Sequence, residues 1–471
     1  MSLNENPSGV WRSFVSGPSG AKEVLIVALP MVISSLSWTV MTFVDRMMLR
    51  WVSGDSMSAA FQANIVWFSF LCLPLGICSY ANSFVSQYFG DGQNQKIGTA
   101  VWQAIWFAVF CIPLVALGIP LAPSIFAWAN HGPVIEPMEV IYFDTLCIGS
   151  GGMLVSQAAS AFFSGRGKTS VVMVVDCLFA VVNLVLDYIM IFGYLGCPEL
   201  GIAGAGYATA IALWLKAITY VVMMLSSQNR IEFGTGNIGI DWDLFRRLIR
   251  FGGPSGVQMF LDVAGFSVFC LLLGRLGSVE TEATSMAFSI SSFAFMPIWG
   301  LSIAAGILVG QRLGENREDL AERSTWVSLV LALTYMATIS LLYCLVPYIF
   351  LSGFFVAEGA DASSNESQEL AVILLRFVAA YNLFDASLMV LASAIKGAGD
   401  TRFVMLVSLV MTTLLCVSTY LAVVVFGMGI YTCWALITAW VCILGIIFFF
   451  RFRGGKWKKM RVIDMVHVPT N

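Results

Sequence analysis

Charge is scarce in this chain. Only 11% of its 471 residues are Asp, Glu, Lys or Arg, whereas 58% are hydrophobic, and the mean hydropathy is +0.84. One soluble core cannot hide that much apolar surface, so the composition excludes a soluble globular protein and indicates a polytopic membrane protein. Histidine is scarcer still. With His131 in an expected outer loop and His467 in the C-terminal tail as the only two histidines, neither HExxH zinc chemistry nor a Ser-His pair within the bilayer is available, and the chain is read as no enzyme. Ten of the eleven cysteines fall in apolar segments and only Cys197 in an expected loop, so neither a disulfide framework nor a CxxC metal site is expected. Residues 1–20 lack the apolar stretch that a cleaved signal peptide needs, and the first span is expected to stay as an anchor. The net charge of -3 gives nucleic acid no basis as a partner; the expected partner surface is the lipid bilayer.

What is present is a succession of apolar runs long enough to cross about 30 Å of hydrocarbon. They fall near 23–48, 60–88, 97–121, 140–163, 170–193 and 202–226, and again near 247–274, 284–310, 322–350, 369–395, 401–426 and 430–450. The expected fold is an all-α membrane protein of twelve transmembrane helices. Its segments are an N-tail (1–22), an N-lobe (23–226), a linker (227–246) with room for a short surface helix, a C-lobe (247–450) and a basic C-tail (451–471). Of the 25 Lys and Arg residues, 20 fall in the N-tail, the even-numbered loops and the C-tail or within the first four residues of the spans that follow them. The positive-inside rule therefore places both termini in the cytoplasm of a multi-pass cell membrane protein. The halves repeat: Pro30, Gly76, Gln87 and Gly90 recur 224 residues later as Pro254, Gly300, Gln311 and Gly314, and SGRGKTS (164–170) answers KGAGDTR (396–402). Because six spans is an even number, the two six-helix bundles are expected to be related by a pseudo-two-fold along the membrane normal, a transporter plan with the binding site between repeats. The GKT at 167–169 is no phosphate loop, since Phe162 stands where the motif needs glycine.

The most informative residues interrupt the apolar runs. An unpartnered carboxylate deep in a span costs about 2.5 to 3.5 kcal/mol on insertion scales, so it is expected to face a cavity or a partner. Asn183 and Asp187 are i and i+4 on the fifth span and share a face in its outer half, where Asp45 of the first span also lies. These three oxygen-bearing side chains can form a hard-cation site, for instance for Na+, or a protonatable network. For Asp45 a second reading stands equally, a solvated helix end beside Arg46. In the second half Tyr381 and Asp385 are again i and i+4, and Asp262 lies near mid-span. Lys216 and Arg376 are expected to snorkel, and Asp144 and Asp176, nearer span ends, to be solvated.

These features together resemble a MATE (multidrug and toxic compound extrusion) transporter of the NorM-like branch, in the multidrug/oligosaccharidyl-lipid/polysaccharide superfamily. The resemblance spans essentially the whole chain. It rests on ALPMVISSLSWTVMTFVDRMMLRWVS, NLVLDYIMIFG followed by LGIAGAGYATAIA, GGPSGVQMFLD and FDASLMVLASAIKGAGDTR. It implies cation or substrate roles for Asp45, Asp262 and the Tyr381/Asp385 pair, while Asn183 and Asp187 match the N-lobe cation pair of other branches. The sequence departs from the NorM-like pattern at Asp262, where glutamate is usual.

The implied function is a secondary antiporter, acting as a monomer, that exports small organic and preferentially cationic compounds by alternating access. It needs no cofactor beyond the coupling ion, Na+ or H+. A lipid-linked saccharide flippase of the same superfamily would need Arg and Lys in its cavity for pyrophosphate, and intramembrane base is scarce. An intramembrane enzyme fails on the missing histidines, and a channel would show no obligatory exchange.

Overall fold

Hydrocarbon offers no partner for a backbone N–H or C=O, so an apolar run that crosses it satisfies its polar groups internally, as a helix. The computed structural model describes residues 14–129, 132–351 and 362–465, with only the backbone described at 129 and 362–365. Among them twelve helices are long and apolar enough to cross a membrane. These are α1 (Ala21–Val52), α2 (Gly54–Gly90), α3 (Asn94–Ala116), α4 (Ile135–Ser164), α5 (Thr169–Phe192) and α6 (Ile202–Met224). They continue with α7 (Trp242–Leu273), α8 (Ser278–Gly314), α9 (Glu318–Leu345), α10 (Glu366–Ala398), α11 (Thr401–Val425) and α12 (Ile430–Arg453). His131, His467 and the first thirteen residues lie outside the described residues.

Most ends match the apolar runs, and two of the helices that start earlier, α2 and α7, carry a side-chain cap there. Ser53 Oγ accepts the Ser56 N–H at 3.0 Å and starts α2 six residues before its apolar run. Asp241 Oδ1 accepts the N–H groups of Asp243 (3.0 Å) and Leu244 (3.1 Å), so α7 begins at Trp242, inside the segment expected as linker. The remaining linker is not loose. It contains the short helix Ser227–Phe233, and its carbonyls at Thr235 and Ile238 accept the indole N–H groups of Trp102 (2.9 Å) and Trp106 (2.8 Å) from α3.

The chain divides into two compact units. One comprises residues 1–32, 261–309 and 317–460, and the other 33–260, 310–316 and 461–471. Thus α1, α7 and α8 each contribute to both, and the break in α1 falls two residues after Pro30, where the helix loses a backbone donor. In the first unit, Phe288 stacks on the fully buried Trp434 with ring centroids 5.0 Å apart. The Arg451 guanidinium there donates from Nε (2.8 Å) and Nη2 (2.6 Å) to Asp400 Oδ2. In the second unit, Trp67 Nε1 donates to Ser150 Oγ at 2.7 Å inside the core.

The repeat motifs have a physical reason that the sequence did not disclose. Gln87 Oε1 accepts the Val462 N–H at 2.9 Å, and Gln311 Nε2 donates to the Gly165 carbonyl at 2.8 Å. Both side chains satisfy backbone groups that would otherwise be orphaned. Gly90 and Gly314 cross at backbone distance: a Cβ on Gly314 would stand 2.9 Å from Asp91 N and 3.0 Å from Gly90 Cα.

Candidate functional site

The face that α5 turns inward carries Asn183 and Asp187 one turn apart, both with no exposed surface. Small residues on α6 bring that helix close. In the stretch LGIAGAGYATAIA, Gly204 packs against the Met190 carbonyl of α5 and Gly206 against Thr145 of α4, contacts that leave no room for a Cβ. The close approach delivers Thr209, 6% exposed, to Asn183. From α1 comes Asp45, 5% exposed, on a helix that continues to Val52. The solvated helix-end reading of Asp45 is thereby replaced by a buried one.

The hydrogen bonds are specific. The Asn183 amide donates to Asp45 Oδ1 at 3.3 Å and to Asp187 Oδ2 at 3.2 Å, and its oxygen then faces the Thr209 hydroxyl at 3.3 Å. The two carboxylates fix this amide orientation, because only an N–H can face both. The carboxyl groups of Asp45 and Asp187 also hydrogen-bond each other. Two carboxyls in such contact need a proton or a cation between them. Asp187 Oδ1 is buried and has no hydrogen-bond partner. Two carboxylates, an amide and a hydroxyl form a hard-oxygen set of the kind that can hold a hard cation or share a proton. Among the described residues no cluster of three His, Cys, Asp or Glu side chains exists that would hold a metal more strongly.

Arg46 takes another direction. Its guanidinium lies 5.0 Å from the centre of the Phe61 ring, in a shallow recess also lined by Met57, Ser58 and Gln62. The buried Tyr142 of α4 feels the charges of Asp45, Asp187 and Arg46.

In the other unit the structure brings Tyr381 and Asp385 into electrostatic contact, and Tyr381 is hydrogen-bonded to Ser291. Its neighbour Asn382 donates to Ser340 Oγ at 3.2 Å. Asp262 is half-buried, and the charge acting on Lys396, near the end of α10, is that of Asp262.

Sequence reasoning missed several residues. Thr209 and Tyr142 gave no signal, since single hydroxyls are common in apolar helices. Lys216 and Asp176 did give one, two opposite charges inside spans, and here the reading needs correction. They neither snorkel nor stand solvated: Lys216 Nζ is 2.8 Å from Asp176 Oδ1, with the side chains 19% and 16% exposed. Asp144 is likewise half-buried, with Oδ1 lacking a hydrogen-bond partner, whereas Arg376 is exposed.

Comparison with known proteins gives a consistent picture. The sequence profile of the MatE family matches residues 30–189 and 254–421. The multidrug resistance protein MdtK of Yersinia enterocolitica is 30% identical over 395 residues, 82% of this chain and 84% of that protein. A probable multidrug resistance protein NorM of Pasteurella multocida is 28% identical over 393 residues, 83% of each chain. Among solved structures, an outward-facing multidrug resistance MATE family transporter of the MOP superfamily superposes with a TM-score of 0.84 at 16% identity, covering 97% of this chain and 100% of that one. The eukaryotic MATE transporter AtDTX14 gives 0.81 at 20% identity, covering 93% and 96%.

Proposed function

Since the chain belongs to the MatE family, we propose that it is a multidrug efflux antiporter that exports organic cations in exchange for Na+ or H+ by alternating access. The observation that carries this reading is the buried contact of Asp45, Asn183 and Asp187, with one acceptor of Asp187 left over. A site that must hold one positive charge but cannot hold two makes the coupling cation and a cationic substrate compete. When such a site opens alternately to either side, that competition becomes exchange. One-for-one exchange of monovalent cations moves no net charge, so the concentration gradient of the coupling ion drives it. The flippase reading loses ground, because the intramembrane Lys216 is already paired with Asp176.

The contrast between neighbours in the sequence tests the site. Asp45→Asn should shift the Na+ or pH dependence of drug efflux by purified protein in liposomes, whereas Arg46→Gln, altering a residue that faces Phe61, should leave it within error. Equal small effects of both substitutions would remove Asp45 from the site.

We place both termini in the cytoplasm, on the Lys and Arg distribution. The native Cys197, exposed between α5 and α6, should then react with an impermeant maleimide added outside intact cells when it is the single cysteine. A single cysteine replacing the exposed Gly236 should react only after lysis. The opposite pattern would invert the topology.

A further inference from the structure

Three helices build the candidate site, and each carries a second polar residue eleven positions away on the same face, three turns along the helix. On α1, Ser34 precedes Asp45 by eleven; on α5, Asp176 precedes Asp187 by eleven; on α6, Tyr220 follows Thr209 by eleven. The structure joins this second set as it joins the first. Tyr220 OH donates to Asp176 Oδ1 at 2.9 Å, and Ser34 Oγ donates to Asp176 Oδ2. Lys216, one turn before Tyr220, completes the set with its ion pair to Asp176 Oδ1. Between the two polar sets, the same registers hold Met41, Ala180 and Leu213, one apolar residue on each helix. The result is a polar, apolar, polar seam, with its two carboxylate sets about 16 Å apart at 1.5 Å rise per residue. With both termini cytoplasmic, the Asp176 set lies in the cytoplasmic half.

The two sets differ in how they are neutralised. At Asp45 and Asp187 the balancing charge must be mobile, a proton or a cation between the carboxyls. At Asp176 it is tethered, the ammonium of Lys216. We propose that Asp176 is a second station for the coupling cation, on the route from the Asp45/Asp187 site to the cytoplasm, and that Lys216 is its built-in competitor. An arriving cation takes the place of the ammonium at Asp176, and the returning ammonium expels it inward. No bond is made or broken beyond this exchange of partners. The tethered lysine keeps the station weak, and a weak station releases fast.

This inference rests on the coupling site and the topology proposed above. Its test uses the full-length purified protein in liposomes, with ethidium efflux driven by imposed Na+ or H+ gradients and rates taken per folded molecule. Lys216→Gln should slow turnover roughly tenfold, the kinetic expression of a cation held one decade more tightly. The external cation concentration for half-maximal rate should stay within error, since the outer site is untouched. The double substitution Asp176→Asn with Lys216→Gln, which removes both charges, should recover much of the lost turnover. If the pair only clamps α5 to α6, the double variant should be at least as impaired as the single one, and that outcome overturns the proposal. Unchanged turnover in Lys216→Gln overturns it as well. Asp187→Asn, run in parallel, separates the two levels: an active Asp187→Asn defeats the coupling site itself, whereas an inactive Asp187→Asn beside a wild-type Lys216→Gln defeats only the second station.

Discussion

Asp187→Asn is expected to reduce gradient-driven drug export to the level of protein-free liposomes, with the yield and elution profile of the purified protein unchanged. The amide keeps the volume of the carboxylate and can donate to Asp45, so the buried cluster stays hydrogen-bonded and well packed. What it loses is the second charge. In the proposed mechanism two carboxyls share one positive occupant, and each side of the exchange is defined by which occupant that is. With an amide at 187 the single remaining carboxylate at Asp45 is satisfied by amide donors on both sides, and the side chain at 187, whose Oδ1 is unpartnered in the native protein, no longer carries charge. A ligand that cannot discriminate between states shifts no equilibrium, so the cycle loses its coupling even if both faces still open. Export at the native rate by this variant would show that the cluster is structural.

The second large effect concerns the approach of α6. Gly204→Ala should cause loss of most folded protein or a steep fall in thermal midpoint, although it adds a single methyl group. Its Cβ would stand 2.5 Å from the Met190 carbonyl oxygen, 2.7 Å from the Met190 carbonyl carbon and 2.9 Å from Ile191 N. These are backbone atoms, which no rotamer change moves aside. Overpacking a core ordinarily costs about 1 to 3 kcal/mol, and the rigid partner places this case at or above the upper end. Displacing α6 from α5 would also carry Thr209 away from Asn183. The same substitution at Gly236, where the nearest atom is an Arg230 side-chain carbon 3.9 Å away, should leave stability unchanged. Thermal unfolding of the two detergent-solubilised variants side by side measures the contrast, and equal midpoints would contradict the packing described for α6.

Local patterns made the twelve helices legible. Uninterrupted apolar length marks a span, and the i, i+4 spacing of Asn183 and Asp187 or of Tyr381 and Asp385 marks a shared face. α7 starts five residues before the apolar run that announces it, because the Asp241 cap lies outside that run. Asp45 was ambiguous for a related reason: an aspartate next to an arginine near the end of an apolar run looks alike whether the helix stops there or continues to Val52. The pairing of Lys216 with Asp176 was invisible, since it joins residues 40 positions apart across two helices and neither carries a pattern naming the other. The repeated glycines and glutamines were visible as a repeat. Their purpose, a close backbone crossing and two satisfied peptide groups, is tertiary.

The most direct measurement is uphill cation movement driven by substrate alone. Liposomes containing the wild-type protein are loaded with ethidium, given identical Na+ and pH inside and out, and diluted into dye-free buffer while internal Na+ and pH are recorded. If Asp45 and Asp187 hold the coupling cation in exchange for substrate, downhill dye efflux must carry Na+ or H+ inward against the gradient it creates, and Asp187→Asn must abolish that movement. Dye efflux with no accompanying cation movement in the wild type, or cation movement undiminished in Asp187→Asn, would contradict the assignment.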